Sequence, residues 1–186
     1  YTISDTLPSR LAFDANAHAL ARYAALCQEA GIVPIVEPEV YMEGSHSIER
    51  AFVVTSAALD ALYGQLFEHG VHLEGTLLKP NMVLPGYDAE QQADDADVAH
   101  FTLAAFRRCV PAAVPGIVFL SGGQTDEQAT ARLNEMNRTA PHPWERLMGH
   151  GLTIGLHETH FRPGLSFRSP HLDARLAYLG AKGISA

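Results

Sequence analysis

The apolar run Leu73-Glu74-Gly75-Thr76-Leu77-Leu78 ends in Lys79, and Pro80 follows at once. Proline has no N–H and biases the preceding residue to extended geometry, so a strand should stop here with an ammonium at its carboxyl end. That end is where α/β folds place their chemistry. Lys79 and Lys182 are the two lysines of the chain, every other basic side chain except histidine being arginine, so a lysine at this position calls for a reason. Two readings compete. In the ordinary one the stem lies over the core and the charge stays in water. In the chemical one a desolvated amine reaches its neutral form and attacks a carbonyl to make a Schiff base.

Two further stretches bear on that choice. Ile32-Val33-Pro34-Ile35-Val36 reads as a short parallel strand, apolar on both faces, running into Glu37-Pro38-Glu39. Residues two apart in extended backbone point the same way, so both carboxylates should face one side. They are either two solvated acids in a loop or an acid/base pair in which one carboxyl keeps its proton because its neighbour is charged. A third run, Gly116-Ile117-Val118-Phe119-Leu120-Ser121, delivers Gly122-Gly123 and then Thr125 and Gln128, a capping-box pair opening a helix. It is either a tight turn or a cradle of N–H groups for a phosphate.

The elements between these ends are helical. Asp14 or Asn16 is expected to cap a helix carrying Leu20, Tyr23 and Cys27 on its core face and ending at Gly31. A longer helix should run from about Ser47 to His69, with Ile48, Phe52, Leu59, Leu62 and Leu66 inward. An acid-rich one should cover about Ala89 to Cys109, with Val98, Phe101, Leu103 and Phe106 apolar. Strand–helix–strand crossovers are right-handed, so the three strands should lie parallel with their carboxyl ends on one rim. Carboxylates, an amine and a phosphate cradle then meet, which points to Schiff-base chemistry on a phosphorylated carbonyl compound.

Composition excludes several classes. With 186 residues, 47% of them hydrophobic, the chain can bury a core, and a formal charge of −8 argues against nucleic acid or an anionic membrane as partner. Cys27 and Cys109 fall far apart in helical stretches, so a disulfide framework is not expected and a reducing, cytoplasmic setting is. No stretch reads as a membrane span or a signal peptide. The chain opens on Tyr1 without an initiator methionine, as a stretch beginning partway into a longer protein would.

In Gly31–Glu39, in Leu73–Val83 and in Phe119–Gln124 the sequence resembles the class I (Schiff-base) fructose-bisphosphate aldolases, the likeness running from about residue 1 to residue 144. The resemblance implies an α/β fold of the (β/α)8 TIM-barrel family, here a partial barrel of about strands 5 to 7, with Leu152–Leu156 a candidate for strand 8. It implies that Lys79 forms the imine, that Glu37 shuttles protons, that Glu39 supports it, and that Ser121, Gly122 and Gly123 bind substrate phosphate. The reaction implied is cleavage of fructose 1,6-bisphosphate to dihydroxyacetone phosphate and glyceraldehyde 3-phosphate. No cofactor or metal is implied, because the protonated imine is itself the electron sink. A homotetramer is implied for the full-length family.

The resemblance also sets expectations against activity of this chain. The family's first four strands carry an aspartate and lysines beside the imine lysine, and a barrel of this kind needs about 250 residues. Little or no turnover is therefore expected of the chain alone. The alternative function is a non-catalytic half-barrel stabilised by association with another chain; a Schiff-base aldolase for a smaller phosphosugar is a further one. Residues 145–186 match none of the family's expected continuation and read as a divergent tail, disordered or non-native. His157-Glu158-Thr159-His160 has the wrong spacing for the zinc motif, whose histidines stand four apart.

Overall fold

The computed structural model of the protein describes residues 1–139. Expectations about residues 145–186, among them a strand at Leu152–Leu156, lie outside the described residues.

Helix α1 spans Arg10–Glu29, strand β1 is Ile35–Val36, helix α2 is Ile48–Glu68, and a single 3-10 turn at Leu73–Gly75 leads into strand β2, Leu77–Leu78. Helices α3 (Asp95–Cys109) and α4 (Asp126–Thr139) follow. The two strands pair in parallel, Ile35 opposite Leu77 and Val36 opposite Leu78. A parallel bridge joins Leu78 to Ile117 on the other side of β2. The pairing continues past the regular strands: Lys79 N–H donates to the Val36 carbonyl at 2.8 Å, Val118 N–H to Leu78 at 2.8 Å and Leu120 N–H to Pro80 at 3.2 Å. Three parallel segments therefore lie side by side as expected, though regular strand geometry covers only two residues in each of the first two. Thr76, at the end of the 3-10 turn, bonds back to the Leu73 carbonyl through both its N–H and its hydroxyl, which delays entry into the strand.

Helix starts depart from expectation for a local reason. Ser9, not Asp14 or Asn16, caps α1: its hydroxyl accepts from Ala12 N–H, and Asp14 instead pairs with Arg10 one turn earlier. Asp94 caps α3 by accepting from Asp97 N–H, so the helix begins at Asp95 rather than near Ala89. Ser47, about where the second helix was expected to begin, caps α2, and Thr125 and Gln128 bond reciprocally at the head of α4 as a capping box does.

The buried face of α1 is also different. Ala17, Ala21 and Ala24 are fully buried, whereas Tyr23 is 46% exposed, because small side chains let α1 approach α2 closely. The core contains Leu59, Leu62 and Leu66 of α2, Val98, Leu103 and Phe106 of α3, and Val36, Leu78, Met82 and Ile117 from the strands. Phe106 stacks on Phe119, with centroids 5.7 Å apart. β1 was expected to be covered on both faces, yet Ile32, Val33 and Ile35 are 59, 37 and 44% exposed. Among the described residues β1 is paired along one edge only, and burial requires a neighbour on the other.

Candidate active site

Past the last paired residues the three segments open into a cleft of about 520 Å³, lined among others by Glu37, Glu39, Lys79, Ser121, Gly122 and Gly123. All six residues singled out by sequence thus border one space. Lys79 Nζ stands 3.1 Å from Glu37 Oε1, with side-chain exposures of 25 and 41%. The lysine is neither laid out into solvent nor sealed away. An ion pair this open contributes only about 0–1 kcal/mol, so stability is a weak explanation for placing it there.

Glu39 is less exposed than Glu37. Partial burial, and then the charge of Glu37, hold its carboxyl above the ordinary range. The two acids therefore differ in setting: Glu37 faces the amine, and Glu39 is the more enclosed and holds its proton above the ordinary glutamate range. That division is what an acid/base pair needs.

Several side chains that sequence reasoning passed over set this geometry. Asn81 is buried, accepts from Val40 N–H at 2.9 Å and donates to the Met82 carbonyl at 2.9 Å. It binds the lysine segment to the backbone that follows Glu39. Thr102 of α3 accepts from Val83 N–H at 2.9 Å, anchoring the same segment from below. Gly86 presses against the loop after β1, where an added Cβ would overlap the Gly44 carbonyl. Three bonds cross that contact: Gly86 N–H to His46, Tyr87 N–H to Met42 and Asp88 N–H to Gly44, at 2.9, 2.8 and 2.9 Å.

The glycine loop has its own supports. Gly122 and Gly123 hold φ of +57° and +86°, a region that favours glycine. Gln124 Nε2 donates to the Ser121 carbonyl at 3.0 Å, and the same amide's oxygen accepts from Arg132 of α4 at 2.7 Å. Arg132 also reaches Asp95 at the start of α3, at 3.1 Å. The loop opens onto the head of α4, whose first turn carries Asp126 and Glu127. Their charges point to no anion by themselves, and the capping box of Thr125 and Gln128 already engages N–H groups at this head. Asn81 and Gln124 stood within the motifs already marked, but their partners lie 41 and 8 residues away, beyond what spacing reveals.

Among the described residues no cluster of three or more His, Cys, Asp or Glu is arranged to hold a metal ion. No helix among them is long and apolar enough to cross a membrane.

Comparison with known proteins bears on what this arrangement is for. Residues 1–155 match the family model described as fructose-bisphosphate aldolase class-I. A probable fructose-bisphosphate aldolase class 1 of Xylella fastidiosa is 56% identical over 149 residues, 80% of this chain and 45% of that protein. The cytosolic fructose-bisphosphate aldolase 5 of Arabidopsis thaliana is 53% identical over 153 residues, 82% of this chain and 42% of that protein. In three dimensions the chain resembles fructose-bisphosphate aldolase from Plasmodium falciparum, solved in complex with TRAP and a small molecule inhibitor. The TM-score is 0.75 and the identity 48%, over 77% of this chain and 42% of that one. The chain spans somewhat under half the length of the relatives it matches. The fold is accordingly of the TIM-barrel type, present here in part, and the chain belongs to the class-I fructose-bisphosphate aldolase family.

Proposed function

We propose that this chain carries the imine-forming part of a fructose 1,6-bisphosphate aldolase, with β1, β2 and the 116–120 segment as the fifth, sixth and seventh strands of a barrel of eight. The observation that carries the reading is the 3.1 Å approach of Lys79 to Glu37 at the ends of paired parallel strands, facing a glycine loop across one cleft.

In this reading the neutral amine of Lys79 attacks the ketone carbon and forms a carbinolamine. Glu37 delivers the proton with which water departs, leaving the iminium. The carbon–carbon bond beyond the iminium then breaks, its electrons moving into an enamine while the neighbouring hydroxyl gives its proton to the Glu37 carboxylate and becomes the aldehyde of glyceraldehyde 3-phosphate. The enamine takes a proton at carbon, and water returns to hydrolyse the iminium, releasing dihydroxyacetone phosphate and the free amine. Glu39, whose carboxyl is held above the ordinary range by partial burial and the charge of Glu37, supports Glu37 through the exchange. Ser121, Gly122 and Gly123 bind a substrate phosphate through the loop and the head of α4. The cycle consumes no cofactor, since the iminium accepts the electron pair. The partners in this reading are a phosphorylated sugar and further copies of the chain, the homotetramer being what the resemblance implies for the full-length family. The cytosolic Arabidopsis relative supports a cytoplasmic location.

Borohydride reduction in the presence of dihydroxyacetone phosphate, read by peptide mass, tests the assignment, with Lys79→Arg as the control. A reduced adduct confined to the Lys79 peptide is expected. A folded chain that acquires no adduct, or acquires one elsewhere, removes Lys79 from this role. Steady-state cleavage by the chain alone is expected to be very slow or absent; turnover at the rate of a full-length relative would overturn that.

A further inference from the structure

Tyr87 touches all three loops of the cleft. Its backbone N–H is held by the Met42 carbonyl, 2.8 Å away, in the loop that follows Glu39. Its position in the chain is on the loop that follows Lys79 and Asn81, next to Gly86, whose contact with Gly44 leaves no room for a side chain. Its hydroxyl donates to the Gly122 carbonyl at 3.3 Å. The ring end lies so close to Gly123 that a Cβ there would overlap Tyr87 Oη and crowd Cζ at 2.9 Å. Gly123 is thus glycine for two reasons, its positive φ and the tyrosine seated against it.

From this geometry we infer that Tyr87 is a positioning residue for phosphate recognition, a strut that fixes the Gly122-Gly123 turn relative to the loop following Glu39. The inference rests on the reading that Ser121, Gly122 and Gly123 hold a substrate phosphate, and it goes beyond that reading by assigning the loop's shape to a side chain outside it. Without the strut the glycines are the segment best able to change conformation, because residues lacking Cβ lose the most freedom on ordering. The loop is also held at Ser121 by Gln124 and, through it, by Arg132, so removing Tyr87 Oη releases one attachment and leaves the other. The ring is half exposed, and phenylalanine keeps it. The variant should therefore fold.

The test is Tyr87→Phe in the 186-residue chain, titrated with inorganic phosphate while the amide resonances of Gly122 and Gly123 are followed. In the parent both resonances are expected to shift with phosphate. In the variant the dissociation constant should rise about three- to tenfold, the loss of one neutral hydrogen bond that orders the site. The amides of Gly122 and Gly123 should exchange faster with solvent while those of Lys79 and Val118, which lie in the paired strands, exchange as before. A parallel trapping experiment compares dihydroxyacetone phosphate with dihydroxyacetone. The preference for the phosphorylated ketone should shrink by a similar factor in the variant, which a general loss of stability would not produce.

Equal phosphate affinity in parent and variant overturns the proposal. So does a parent whose glycine amides ignore phosphate. If the glycines respond as expected but neither ketone is trapped on Lys79, the imine assignment falls and the role of Tyr87 stands.

Discussion

Lys79 and Glu37 reach the cleft from backbone bonded N–H to carbonyl across neighbouring strands, and Asn81 and Thr102 tie that backbone to the loop and helix around it. Ser121, Gly122 and Gly123 reach it from a turn held by side chains, Tyr87 at Gly122 and Gln124, itself bonded to Arg132, at Ser121. The difference fits the roles proposed above for the two parts. A proton moving between an amine and a carboxylate tolerates little error in distance. A phosphate received by backbone N–H groups needs close approach and positive φ, which only a glycine turn provides, and such a turn must be shaped from outside. The first kind of order is distributed over many backbone bonds, and the second is concentrated in a few side chains.

That contrast can be broken from either side. Glu37→Gln should act most strongly. It keeps the shape of the lysine side but removes the proton carrier, so the rate of adduct formation at Lys79 should fall at least about 100-fold. Phosphate titration of the glycine amides should be unaffected, and a parallel loss there would show that the two sides are not separately organised. Gly86→Ala comes next. The new methyl meets the Gly44 carbonyl, so the loops must separate at a cost toward the upper end of about 1–3 kcal/mol, visible as a lower urea midpoint.

Gln124→Ala should be milder. It removes the acceptor of Arg132 and the donor to Ser121, costing about 1–2 kcal/mol, and hydrogen exchange should quicken at residues 121–123 while Lys79 remains protected. Unchanged exchange in the loop would mean that Tyr87 alone shapes it. The smallest effect is expected at Glu39. Its native carboxyl sits above the ordinary range, so the fold binds this proton better than the unfolded chain does, and ionisation near neutral pH weakens the fold. Glu39→Gln should therefore raise the unfolding midpoint slightly at pH 7. The gain should shrink as pH falls and vanish well below about 4.3, where the glutamate is protonated in the folded and the unfolded chain alike. A gain that persisted in acid would assign it to packing instead.

How far the sequence reached follows the same division. The six candidate residues stood at the ends of apolar runs, and a run that stops at proline or paired glycine shows where backbone leaves a sheet. Helix existence was legible as well, since Leu59, Leu62 and Leu66 repeat at helical spacing. The start of α3 was not, because Asp94, Asp95 and Asp97 all favour a helix head and only the fold chooses among them. The inner face of α1 misled for another reason: hydrophobicity selects Tyr23, whereas close packing selects Ala17, Ala21 and Ala24. Tyr87 gave no local sign. Its hydrogen-bond partners Met42 and Gly122 lie far along the chain, and no pattern within a short window encodes them.

Asn81 has a consequence for substitution at equal size. Its amide presents an acceptor to Val40 N–H and a donor to the Met82 carbonyl, so the joint works only while both polarities are kept. Asn81→Asp changes no volume. It would still receive Val40, but its other oxygen would meet a carbonyl oxygen, and the cheapest remedy in a buried place is to take up a proton there. The rigid link behind the lysine would then hold in acid and loosen as the medium became neutral, an exchange of a fixed fastening for one latched by hydrogen ions.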